Sequence, residues 1–127
     1  MLKQVLEIYE LLDGPDASGE RVEELLRSRG LEEVEVKHIT GERGETDFIK
    51  IRVPGLEGKS SGGSAPTLGV IGRLGGVGAR PELIGIVSDA DGAITALSVA
   101  LKLADMAQRG ERLLGDVIVT THICPRA

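Results

Sequence analysis

The stretch from Leu83 to Thr121 constrains this chain more than any other. It reads as a strand, a tight polar turn, a long apolar helix and a second strand, without a break. The turn is Ser88 to Gly92, S-D-A-D-G, and the second strand, GDVIVTT, runs into T-H-I-C-P, Thr121 to Pro125. A strand–helix–strand crossover is right-handed in nearly all proteins and sets its two strands parallel. Both strands then finish at one edge of a sheet, where open α/β sheets take their ligands. Asp89 and Asp91 stand at the end of the first strand, and His122 and Cys124 at the end of the second. No other part of the chain gathers metal- or proton-handling groups in this way.

A chain of 127 residues is enough for one domain with a real core, and 1–127 is read as a single α/β domain. Aromatic residues make up 2%, with no Trp, one Tyr and one Phe, which argues against stacking platforms for single-stranded nucleic acid. The net charge is −5 and no basic block occurs, so no nucleic-acid partner is expected. Cys124 is the single cysteine, so no internal disulfide can form, and a reducing cytoplasm is the expected compartment. No apolar run approaches the roughly 20 residues of a membrane helix, and no membrane association is expected.

Along the chain, Leu2, Val5, Leu6, Tyr9 and Leu12 recur at helical spacing and predict a helix over 2–12 with those residues inward. Ser18 is placed to cap a second helix that runs to about Arg29. Leu31 to Ile39 and Asp47 to Val53 alternate as half-exposed strands, the second with Phe48, Lys50 and Arg52 on one side. Pro54 to Ala65, rich in Gly and Ser, is expected to be a mobile loop. The apolar runs Thr67 to Ile71 and Leu83 to Val87 look like strands buried on both faces. Residues 91–109 predict a largely buried helix.

Three constellations can carry chemistry. Asp89 and Asp91 form a carboxylate pair able to bind a divalent metal or orient water, or else one of them caps the helix. His122 and Cys124, two apart at a strand end, point to one side. They suit zinc, or a cysteine nucleophile with a histidine base, or simply a core thiol beside a hydrogen-bonded imidazole. The loop Gly72 to Glu82 offers backbone N–H groups at Gly75 and Gly76 between Arg73 and Arg80, a cradle for a substrate carboxylate or phosphate, or a turn that serves only topology. His38 is read as a surface histidine.

The strings TDFIKIRVPG, GGSAPTLGVIGRLGGVGARPELIG, VSDADGAITALSVALKLADM and GDVIVTTHICP, spanning about residues 46–125, resemble an uncharacterised bacterial and archaeal family, domain of unknown function 1177. That resemblance implies a longer architecture of which this chain is an N-terminal portion, truncated or cleaved. More distantly, the chain is similar to the co-catalytic zinc peptidase superfamily of aminopeptidases and carboxypeptidases. LLDGPDASGERVEELL matches its opening helix–turn–helix, and Asp89 matches its bridging metal-ligand aspartate. The other sites depart: Arg73 and Gly75 stand where a metal-binding His and its supporting Asp would be, and no Glu occurs in the T-H-I-C-P segment.

The expectation is therefore a mixed, mostly parallel sheet with helices on both faces, a zinc-peptidase-like core completed by a downstream segment or a second chain in a homo- or hetero-oligomer. The leading function is a hydrolase-like subunit acting on a small amide or peptide-like substrate. Asp89 and His122 would hold zinc or manganese, His122, Cys124 and Asp91 would do the chemistry, and Arg73, Gly75, Gly76 and Arg80 would hold substrate. The rivals are a non-catalytic binding or assembly module of the same fold and the N-terminal chain of a self-processed hydrolase.

Overall fold

The computed structural model of the protein describes residues 1–14, 16–77, 86 and 89–125. Two N-terminal helices, α1 (Leu2–Asp13) and α2 (Gly19–Ser28), precede the hairpin of β1 (Glu33–Thr40) and β2 (Glu45–Val53). A 3-10 turn at Lys59–Ser61, the short β3 (Leu68–Ile71), the long α3 (Asp91–Gln108) and β4 (Val117–Ile123) follow. The sheet order is β1-β2-β4-β3.

The sheet is mixed, as its sequence implied, but among the described residues two pairings are antiparallel and one is parallel. β2 folds back on β1 as a hairpin and then lies antiparallel to β4. Among the described residues the parallel partner of β4 is β3. Of the strand expected at Leu83 to Val87, only Ile86 lies among the described residues, where it makes an isolated antiparallel bridge to Val77. Arg80, Ser88 and the rest of that strand lie outside them.

β-branched residues dominate β4 and suit a pleated surface. Val117, Val119, Thr121 and Ile123 are buried against the helices, while Ile118, Thr120 and His122 alternate to the other face. α3 packs on β2, β3 and β4, α2 packs on β1 and β2, and α1 packs on the outside of α3. Ala93, Ala96, Ala100 and Ala104 let α3 lie close to its neighbours, and Leu97 and Leu101 are fully buried. Each such leucine contributes on the order of 1.5–3 kcal/mol. Among the described residues all three helices share one face of the sheet. The layer expected on the other face is absent there, and Phe48 and Ile71 are 49% and 79% exposed. Apolar runs alone do not distinguish a strand covered twice from an exposed edge strand, and among the described residues β3 is the latter.

Two local expectations change. In α1 the inward residues are Gln4, Ile8 and Leu12, while Leu2, Leu6 and Tyr9 are exposed. Both sets have helical spacing, and tertiary packing chose between them. The segment expected to be mobile is docked instead. The Asp116 carboxylate accepts from Gly55 N (2.8 Å), Ser60 N (2.9 Å) and Ser60 Oγ (2.8 Å). Leu56 N and Glu57 N donate to the Leu113 and Leu114 carbonyls. The N–H groups of Gly55 and Ser60, then the Ser60 hydroxyl, hold the Asp116 carboxyl below its usual range.

Candidate functional site

The end of β4 places His122 and Cys124 on the open face, because both occupy the outward phase of a strand whose inward phase is Thr121 and Ile123. Phe48 is the cross-strand partner of His122, and the two rings stand 5.9 Å apart, tilted by 40°. Cys124 Sγ lies 3.9 Å from His122 Nδ1 and 3.4 Å from Thr46 Oγ1. Thr46 Oγ1 donates to the Ile123 carbonyl at 3.0 Å and stands 3.3 Å from His122 Nδ1. With its proton committed to that carbonyl, the hydroxyl oxygen can accept from either the thiol or the imidazole. It holds both at one station. A thiol beside an imidazole can pass its proton to nitrogen and become a nucleophile. Thr46 and Phe48 were not singled out as site residues. Their signal was the alternation of β2, which already set Phe48 on the outward side.

The glycine strip borders this cluster. Gly76 forms a parallel bridge with Cys124, Cys124 N donates to Gly75 O (2.7 Å) and Val77 N donates to Cys124 O (3.0 Å). Gly72 N donates to Thr120 O and Gly76 N to Asp89 O, so these N–H groups are spent on the protein's own backbone. Glycine is required here for close approach: a Cβ at Gly75 would sit 1.9 Å from the His122 carbonyl oxygen, and one at Gly92 would sit 1.2 Å from that of Arg73. Arg73 itself is exposed.

Asp89 and Asp91 arrive at the same end of the sheet on the helix side. The N-cap of α3 is Ala90, with no side-chain cap, and Asp91 is a first-turn acid that favours the helix dipole. Neither carboxylate has a hydrogen bond or ion pair among the described residues. Asp89 O accepts from Gly76 N, whose bridge partner is Cys124, so the start of α3 meets the end of β4 through the backbone of the glycine strip. Zinc takes three or four donors, and manganese more, mostly oxygens. His122 and Cys124 supply two, and no group of three or more His, Cys, Asp and Glu among the described residues could hold a metal ion. This donor set does not fit a complete metal centre, and no step below is routed through one.

His38 is more than a surface residue. Its Nδ1 lies 2.5 Å from Asp47 Oδ1 and its Nε2 2.7 Å from Glu45 Oε2. The hydrogen bond to Asp47, then that to Glu45, raises its pKa. Asp47 is buried and its other oxygen accepts from Gly19 N at 2.8 Å, alongside the Ser18 cap of α2. This is a structural tie between the hairpin and α2. A cleft of about 380 Å³ opens at the other end of β4, lined by Arg29, Leu31, Pro54, Gln108 and Arg112 among others. Its arginines are already engaged, Arg29 by Asp105 and Glu7 and Arg112 by the Pro54 carbonyl. Cleft and thiol therefore do not coincide.

The described residues form a mixed α/β fold, a four-stranded sheet with three helices. The fold is similar to that of the bottromycin maturation enzyme BotP, with a TM-score of 0.57 at 17% identity over 96% of this chain and 29% of that one. It is likewise similar to the cytosol aminopeptidase of Coxiella burnetii, with a TM-score of 0.54 at 14% identity over 99% of this chain and 31% of that one. The chain thus spans less than a third of either protein, and at such identity the likeness establishes the fold alone. No curated protein matches the sequence. The chain belongs to the family described as Protein of unknown function (DUF1177), whose profile matches residues 37–127. No helix among the described residues is long and apolar enough to cross a membrane.

Proposed function

We propose that this domain is a hydrolase-type subunit acting on a small amide or peptide-like substrate, with Cys124 as nucleophile and His122 as its base. The observation that carries the proposal is the 3.9 Å approach of Cys124 Sγ to His122 Nδ1 on an accessible sheet face. The peptidase-like fold is consistent with it. In this scheme His122 takes the thiol proton and the thiolate attacks the amide carbon. The C–N bond then breaks, the amine leaves with the proton from His122, and a thioester remains. Water, deprotonated by His122, hydrolyses that thioester and restores the thiol. Thr46 keeps the thiol and the ring in register throughout.

The test uses the single cysteine of the intact protein. His122→Ala should slow iodoacetamide alkylation of Cys124 about tenfold. In a panel of amino-acid anilides and dipeptides, Cys124→Ala should abolish turnover. His122→Ala should lower it by about 10²-fold or more, the scale of a lost general base. An alkylation profile indifferent to His122, or turnover that survives Cys124→Ala, overturns the proposal.

A further inference from the structure

The open face beside Cys124 carries an uneven set of charges. Phe48, half exposed, is paired in register with Lys37 on β1 and lies two residues from Lys50 on its own strand, so all three share that face. Arg52, one step further along, is neutralised by Glu33 at 3.2 Å. Lys37 and Lys50 have no ion-pair or hydrogen-bond partner among the described residues, although Glu35 stands opposite Lys50 in register. Lys37 and Lys50 beside the single Phe, against the one carboxylate of Glu35, leave this patch net positive in a protein of net charge −5.

The order of groups along the face is directional. Along β2 it runs Thr46, Phe48, Lys50, and along antiparallel β4 it runs Cys124, His122, Thr120. The thiol therefore lies at one end, the exposed ring in the middle and an ammonium at the other. Same-face neighbours on a strand are about 6.5–7 Å apart, and adjacent strands about 4.8 Å apart. The aromatic ring and the carboxylate of one amino-acid residue are joined through Cα and Cβ, a span that fits between Phe48 and the lysines.

We infer that this face seats a short peptide or N-acyl amino acid whose aromatic or large apolar C-terminal side chain lies on Phe48 and whose free carboxylate is held by Lys37 and Lys50, with the acyl group toward Cys124. The inference rests on the Cys124–His122 pair as the reacting groups. It adds the substrate class: an anionic, apolar amide cleaved next to its terminal carboxylate.

Binding is read without turnover, which keeps the two proposals separable. N-acetyl-phenylalanine, its neutral amide and N-acetylglycine are titrated into the intact Cys124→Ser protein, followed by backbone amide shifts. The carboxylate should bind about tenfold tighter than the amide at low salt, the scale of two exposed ion pairs, and the advantage should shrink as salt rises. N-acetylglycine should bind more weakly, the shifts should fall on β1 and β2, and Lys37→Ala with Lys50→Ala should bring the carboxylate to the affinity of the amide. Arg52→Ala should leave the preference intact. Equal affinity for carboxylate and amide, shifts confined to the Arg29–Arg112 cleft, or a face closed by a second copy in sedimentation overturns the inference. A protein that shows the carboxylate preference but hydrolyses nothing defeats the catalytic proposal alone. One that turns over neutral amides with no such preference defeats this one alone.

Discussion

Replacing Asp105 with Ala removes the carboxylate at which the three helices meet. Asp105 on α3 accepts from Gln4 Nε2 of α1 at 2.8 Å, and Arg29, the C-cap residue of α2, reaches both its oxygens at 2.8 and 2.9 Å. Arg29 also pairs with Glu7 of α1. Burial alone would raise the Asp105 carboxyl, but the hydrogen bonds from Gln4 and Arg29 and the guanidinium charge outweigh it and hold the group below its usual range. Gln4 is 5% exposed and its Oε1 already lacks a partner, so losing Asp105 orphans its Nε2 as well. A buried orphan costs about 1–3 kcal/mol. Arg29 keeps Glu7 and, a quarter exposed, regains water, so that half of the loss stays under about 1 kcal/mol. The expected destabilisation is about 2–4 kcal/mol, read by urea denaturation of the intact protein. Asp105→Asn, which keeps an acceptor for Gln4, should lose about 1 kcal/mol. Adding Gln4→Met to Asp105→Ala should restore more than about 1 kcal/mol, because the orphaned amide goes with it. A loss under about 0.5 kcal/mol, or strict additivity in that cycle, refutes the reasoning. The pH dependence has a fixed sign. A lowered carboxyl contributes stability that is present above its unfolded value near 4 and is lost as pH falls through the folded value. Asp105→Asn should flatten that acid limb.

Gly75→Ala and Gly92→Ala place a Cβ 1.9 and 1.2 Å from backbone oxygens, so each should cost more than about 3 kcal/mol or prevent folding. Gly69→Ala, with nothing within 4 Å, should stay within about 0.5 kcal/mol in the same thermal melts. The raised pKa of His38 predicts stability that is complete below its unfolded value near 6.5 and lost as pH rises through the folded one. Ring-proton NMR that puts the His38 midpoint at or below 6.5 would contradict this, and His38→Gln should remove the alkaline loss. Asp116→Ala should free residues 54–66, creating a protease cut there that the parent protein resists, and an unchanged digest would show that the backbone bonds suffice.

Period and punctuation made much of the fold legible. The alternation of Ile49, Ile51 and Val53, the Ser18 cap and the alanine-rich run of α3 each appear where the pattern places them, because each signal is local. What failed to show were choices between equivalent local patterns. α1 carries two apolar stripes, and only the packing of α3 selects Ile8 and Leu12 over Leu6 and Tyr9. The 54–66 loop looked free because its anchor, Asp116, lies about 60 positions away in sequence. For the same reason the Thr46 contact to Cys124 could not be read from spacing. The neighbourhood of His122 and Cys124 was visible, since two residues apart on a strand is a fixed geometry.

The glycine strip joins the end of β4 to the start of α3. β3 ends at Ile71, and the chain continues past Thr120, His122 and Cys124 as a run in which Gly72, Gly75 and Gly76 hold the pairing positions. An ordinary strand there would put side chains on both faces, one into α3 and one beside the thiol. Gly72 packs without a Cβ under Gly92 and Ala96 at the start of α3, and Gly75 packs against the His122 carbonyl. The strand ladder stays closed, which fixes His122 and Cys124 to rigid backbone, as a preorganised pair requires. A larger residue at Gly75 would both clash with the His122 carbonyl and crowd the approach to Cys124.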